Sequence, residues 1–178
     1  MNKKEIGIVL DSQCLSYLID ATVNFDEPTG DLAEEKKALI RIWFYQPETF
    51  WVTETVVSEC ANISNTKRRK LHESFIKPLF VDLPIRDKSL VRKRAVAYML
   101  FHPKENDCGI LAEAVDQGAK VVLSYDGDFL KRLASVESLV SLLKPSEYWA
   151  RLDIQPGSSP INVPHESNPL STKGWWKW

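Results

Sequence analysis

Cysteine is scarce in this 178-residue sequence: three residues, Cys14, Cys60 and Cys108, an odd number with no CxxC or zinc-type spacing. That argues against a disulfide scaffold, and thiols set inside apolar segments point to reduced cysteines in a cytoplasmic compartment. Long apolar runs are missing as well. None approaches the roughly 20 residues needed to cross a bilayer, and the start Met-Asn-Lys-Lys-Glu lacks the apolar stretch and cleavage site of a signal peptide. No membrane partner is therefore expected. Nor is there an excess of either charge: 23 Lys plus Arg face 24 Asp plus Glu, a net charge of -1. Nothing draws a polyanion to the chain as a whole, so any nucleic-acid site must be local. What is present, 44% hydrophobic and 26% charged residues, suffices for one domain with a real core.

Short apolar runs alternate with helical patterns. Residues 6–10 (IGIVL) read as a strand buried on both faces, with Asp11 directly after it. Helices are expected over 13–21 and 32–44, separated by a turn-rich stretch, 24–30, that contains Pro28 and Gly30. A second strand, 50–53, precedes a helical face from Glu54 to about Ile63. A helix over 67–77 should end at Pro78, before a strand at 79–83. Two more helices, 87–101 and 107–117, are broken by His102-Pro103, with Gly118 placed as a C-cap. The strand 120–124 is followed by Asp126-Gly127-Asp128 and a short helix to Leu133, and 139–143 reads as the last strand. Such alternation predicts an α/β fold whose central, mainly parallel sheet has four to five strands flanked by helices. From Asp153 onward Pro, Ser and Gly dominate without a hydrophobic period, which marks a tail. Its terminal Trp175, Trp176 and Trp178 are costly to leave in water, so the tail should dock on its own domain or on a partner.

In open α/β sheets the reactive site lies beyond the carboxyl ends of the strands, and the residues that land there are mostly carboxylates. Asp11 follows the first strand, and Asp126 and Asp128 follow the strand 120–124. Glu59 lies three residues beyond Val56 and four before Ile63, on the stripe of core residues. Asp107 starts the helix whose buried stripe is Ile110, Leu111, Ala114 and Val115. Singly, each has a structural reading: an Asp after a strand caps a helix or forms a turn, and an acid at a helix N-terminus favours the dipole. Jointly they would repel one another, and no Lys or Arg adjoins any of them in sequence, so a bound cation is called for. All-oxygen ligands select Mg²⁺ or Mn²⁺. Such an ion, alone or as one of a pair about 4 Å apart, activates water and stabilises charge on a phosphodiester.

These residues resemble a family. Asp11 after the first strand, Thr-Val-Val-Ser-Glu59 in a helix, Asn-Asp107 opening a helix and Ser124-Tyr-Asp126-Gly-Asp128-Phe129, in that order, look like the PIN domain, the nuclease fold of VapC-like toxins. The resemblance covers about residues 5–150. It implies a three-layer α/β sandwich, dependence on Mg²⁺ or Mn²⁺, and hydrolysis of single-stranded RNA by an endoribonuclease. By matching positions, Asp11, Glu59, Asp107 and Asp126 would be the catalytic, metal-binding quartet, with Asp128 supporting the metal. Ser124 stands where the family often has Thr and would orient a carboxylate or water. Residues 1–152 would form the nuclease domain and 153–178 the tail. The 24–30 insertion and the tail make the chain longer than the compact toxins.

Two basic clusters offer phosphate contacts: Lys67, Arg68, Arg69 and Lys70, and Arg92, Lys93 and Arg94 with the nearby Arg86 and Lys88. A solvated helix face explains either cluster equally simply, and Tyr98 and Phe101 have the spacing of core residues. The cysteines read as small core residues, and His72, His102 and His165 receive no catalytic role. Three functions compete with a toxin ribonuclease. A haloacid-dehalogenase-type phosphatase needs a second Asp two residues after the first, where this chain has Gln13. A PIN-like binding module would have lost an acidic position, and none is missing. A stand-alone RNA-processing nuclease would lack a neighbouring antitoxin. If the chain is a toxin, an antitoxin protein would cover exposed apolar surface and insert a basic side chain into the acidic cleft. The Trp-rich tail is a candidate docking element for it, and autoinhibition or a homodimer would use the same residues.

Overall fold

β1 (Ile8–Leu10) is the middle strand of the sheet, and all three of its side chains are fully buried. Each such aliphatic side chain contributes about 1.5–3 kcal/mol when removed from water. The chain is described here from a computed structural model that covers residues 7–82 and 84–178, so Ile6 and Leu83, expected at strand ends, lie outside the described residues. β1 pairs in parallel with β2 (Phe50–Val52) and with β4 (Val121–Leu123), in the registers Ile8 to Phe50 and Ile8 to Val121. β3 (Val81–Asp82) extends the sheet beyond β2, and β5 (Ser141–Leu143) extends it beyond β4. The order β3-β2-β1-β4-β5 is parallel throughout. This is the α/β architecture expected from the alternating pattern, and parallel neighbours require the helical crossovers that supply the flanking layers.

Among the described residues eight α-helices surround the sheet: α1 (Ser12–Ala21), α2 (Ala33–Tyr45), α3 (Glu54–Ala61), α4 (Thr66–Leu79), α5 (Lys88–Tyr98), α6 (Glu105–Gln117), α7 (Gly127–Leu133) and α8 (Pro145–Arg151). Side-chain caps start most of them: Asp11 for α1, Thr53 for α3, Asn65 for α4, Asp87 for α5 and Asp126 for α7. Each accepts an N–H that the first turn leaves without a partner. α6 ends at Gly118, whose φ of 72° is the left-handed conformation that a residue lacking Cβ adopts without strain.

Several boundaries differ from the sequence reading, among them α5, which ends at Tyr98 instead of residue 101, and β3, which begins at Val81 instead of residue 79. α4 runs through Pro78 instead of stopping before it, because Phe80 N–H still reaches Ile76 O at 3.0 Å and closes the last turn. α6 starts at Glu105, so Asp107 is its third residue rather than its first, and Lys104 becomes the N-cap residue. α8 lies in a stretch for which no helix was expected; Pro145 opens it, and the Glu147 carboxylate accepts Lys144 N–H at 3.0 Å.

The tail packs on the domain itself. Trp176 is only 2% exposed, its ring centroid is 4.6 Å from that of Phe44 on α2, and its Nε1 donates to Leu170 O at 2.9 Å. Trp178 meets Trp149 of α8 edge-on at 5.7 Å, with the Arg41 guanidinium 4.6 Å from its ring. Ile161 and Asn162 N–H both reach Phe44 O at 2.8 Å.

Candidate active site

Two aspartates at neighbouring strand ends are placed by the backbone before any side chain is considered. Asp11 N–H donates to Leu123 O at 3.1 Å, which ties the end of β1 to the end of β4. The Asp11 carboxylate then caps α1 by accepting Cys14 N–H at 2.7 Å. Asp126 does the same for α7, its Oδ1 accepting Asp128 and Phe129 N–H at 2.9 and 3.1 Å. Ser124, fully buried between them, accepts Asp126 N–H on its Oγ at 3.0 Å and hydrogen-bonds the Asp11 carboxylate. One hydroxyl thus ties the Asp126 backbone to the Asp11 carboxylate.

Asp107 reaches the same edge from the first turn of α6. Its Oδ2 accepts from Nε2 of His102, a buried ring, at 2.7 Å, and lies 3.9 Å from Lys104 Nζ. His102 Nδ1 is buried without a hydrogen-bond partner. The Lys104 ammonium binds Asp126 Oδ2 directly. His102 and Lys104 were missed in the sequence because neither adjoins one of the candidate site acids; Lys104 precedes Asp107 by three residues, which is one helical turn.

Glu59 stands at the rim on α3. It accepts from Ser12 Oγ and, at 2.6 Å, from Asn106 Nδ2, which links it to the first turns of α1 and α6. Beside it a polar cavity of about 350 Å³ is lined by Ser58, Asn62, Asn106 and Glu113. Glu113, buried on α6, accepts from the backbone and hydroxyl of Thr55, and burial raises its pKa. Asp128 is exposed on α7 and reaches the group through its electrostatic effect on Lys104.

Electrostatics divides these acids. Burial raises Asp11 from 3.8 to about 6 against the hydrogen bonds of Ser124 and Cys14, and the charge on Asp107 adds to the rise. Burial also raises Asp107, opposed by His102 and Lys104 and reinforced by Asp126. Asp126 shows the opposite balance: burial would raise it, but the Lys104 hydrogen bond and the α7 N–H groups bring it below the usual value. The donor set is entirely oxygen and mutually repelling, a chemistry that fits a hard divalent cation. As the side chains stand, no group of three His, Cys, Asp or Glu among the described residues is close enough to hold one ion.

The basic residues separate in the same way. Lys67, Arg68 and Lys70 line an open groove with Asn65 and Leu71. Arg68 also lines the adjoining groove with Ser12, Tyr17 and Lys36, so the two hollows meet at its side chain and lead to the Ser12–Glu59 contact. Arg69 instead donates to Ile63 O at 3.1 Å, a structural bond across the α3–α4 turn. On α5, Arg92 and Lys93 are exposed, whereas Arg94 is half-buried with Nη1 enclosed and unpartnered.

A parallel sheet in this strand order with carboxylates at the ends of β1 and β4 defines a PIN-like fold. The chain is similar to the crystal structure of Mycobacterium tuberculosis VapC20, a toxin that cleaves the sarcin–ricin loop, at 16% identity and a TM-score of 0.50. The match covers 75% of this chain and 98% of that one, and at this identity what the two share is the fold. No family model matches the sequence, and no curated protein matches it either.

Proposed function

We propose that this chain is a metal-dependent endoribonuclease, with Asp11, Glu59, Asp107 and Asp126 holding Mg²⁺ or Mn²⁺ and Asp128 at the rim. One observation carries the reading: Asp11, Asp107 and Asp126 arrive from different elements at the end of the sheet, where the charge on Asp107 raises the pKa of Asp11 and that on Asp126 raises the pKa of Asp107. Nothing in the packing of the core asks for that arrangement, which costs stability unless a cation is present. A bound divalent ion supplies an activated water and neutralises charge developing on the phosphodiester.

The chain's own residues do the rest. Ser124 holds the Asp11 carboxylate beside the backbone of Asp126. His102, donating to Asp107, leaves the second oxygen of that carboxylate for the metal. The groove formed by Lys67, Arg68 and Lys70 carries the RNA phosphates toward Glu59, with Arg92 and Lys93 as a further contact, while Arg69 is engaged by Ile63 O and Arg94 is half-buried. Such contacts make affinity fall with salt.

The resemblance to VapC-like toxins extends the proposal to a cytoplasmic toxin restrained by an antitoxin protein, and no helix among the described residues is long and apolar enough to cross a membrane. The test is cleavage of a labelled structured RNA by chelator-treated protein, with and without Mn²⁺ or Mg²⁺, beside Asp107→Asn prepared identically. Metal-restored cutting that the variant lacks supports the proposal. Absence of both cutting and Mn²⁺ binding in the wild type overturns it in favour of a non-catalytic binding module.

A further inference from the structure

We infer that Lys104 is a built-in counter-ion that competes with the divalent metal for the Asp107–Asp126 pair. The inference rests on the metal-dependent reading above and adds a residue to it.

Three observations point to Lys104. Its ammonium binds one carboxylate and lies 3.9 Å from the other, so a single positive charge bridges acids from α6 and α7. The atom it takes on Asp126 is Oδ2; Oδ1 is already committed to the two N–H groups at the start of α7. Lys104 therefore holds the one oxygen of Asp126 that a metal could use. Finally, the side chain is 58% exposed, so nothing packs it in place. Its removal from the pair breaks a solvent-exposed contact and returns a strongly hydrated ammonium to water.

An exposed monocation on a flexible stem neutralises the pair in part when no metal is bound, and a doubly charged ion with fixed oxygen preferences displaces it. Once displaced, Lys104 lies beside the carboxylates with no anion to neutralise, which leaves it free for an RNA phosphate.

The experiment titrates Mn²⁺ alone into chelator-treated protein and follows the free-ion electron paramagnetic resonance signal, for wild type, Lys104→Met and, as a control, Lys77→Met on the exposed face of α4. Lys104→Met is expected to bind Mn²⁺ on the order of fivefold more tightly, the factor an exposed ion pair supplies, with Lys77→Met unchanged. A second titration, with a labelled single-stranded RNA at saturating Mn²⁺, should show Lys104→Met binding RNA several-fold more weakly than wild type. A merely structural lysine would not move the two affinities in opposite directions. Unchanged or weaker Mn²⁺ binding by Lys104→Met, with wild type still binding, overturns the inference and leaves the nuclease reading intact. Failure of both proteins to bind Mn²⁺ overturns the metal-dependent reading as well.

Discussion

The acidic edge of the sheet and the aromatic seam between α2, α8 and the tail are built on opposite principles. At the edge, burial raises the pKa of both Asp11 and Asp107, and the neighbouring charges of Asp107 on Asp11 and of Asp126 on Asp107 add to the rise. In the seam, Phe44, Tyr45, Trp149, Trp176 and Trp178 meet ring to ring, and the indole N–H groups of Trp176 and Trp178 find carbonyl oxygens. The seam contributes stability, as buried aromatic pairs do. The edge spends some of it on a constellation that only a cation relieves. A region whose groups oppose folding yet are positioned by caps and strand ends is where function is to be sought.

Substitutions with opposite signs sharpen that contrast. The largest effect is expected from Trp176→Ala, which empties a site only 2% exposed and should lower unfolding stability by about 3–5 kcal/mol. Urea unfolding measures it, and a loss below about 1 kcal/mol would show that the tail merely lies on the surface. Asp11→Asn should act the other way. Asn caps a helix as well as Asp, so at pH 7 the metal-free variant should gain about 1–3 kcal/mol by losing a buried charge, while Mn²⁺-supported cleavage disappears. Lower stability for this variant would mean that Asp11 is a structural cap alone.

The pH dependence follows from the same group. Asp11 is raised from 3.8 to about 6, so between those values the folded state binds more protons than the unfolded one. Metal-free stability should therefore decline as pH rises from about 4 to 6 and level off above it. Asp107 is shifted in the same direction, and Asp11→Asn should flatten most of the slope. Thermal unfolding in chelator across that range is the check. The smallest effect belongs to Asp126→Asn, which keeps the α7 cap and loses only an exposed pair with Lys104. A decrease of under about 1 kcal/mol is expected, opposite in sign to Asp11→Asn despite the shared site.

Much of this was legible in the chain. Asp11 stands directly after an apolar, β-branched run and Asp126 just beyond another, so strand ends and acids could be placed together, and the left-handed Gly118 followed from its position after a periodic helix. The contributions of Lys104 and His102 were not legible, because sequence adjacency is the wrong measure at a helix N-terminus. With α6 taken to start at Asp107 instead of Glu105, residue 104 fell outside the helix and its one-turn relation to Asp107 went unseen. α8 carried a signal in Pro145 and Glu147 that was passed over. The tail's destination had no local signal at all: Phe44 and Trp176 meet only in the folded chain, 132 positions apart by residue number.

The crowding of indoles in the seam has an optical consequence. Trp149, Trp175, Trp176 and Trp178 are four of the six tryptophans in the chain. Trp149, Trp176 and Trp178 lie in the seam, Trp175 donates its indole N–H to Phe25 O, and none of the four is in hydrogen-bond contact with Asp11, Asp107 or Asp126. Intrinsic emission will therefore report chiefly on whether the tail is docked, and it should change little when the acidic edge gains or loses a diamagnetic ion such as Mg²⁺. The chain carries its own spectroscopic separation of folding from metal loading, with no label required.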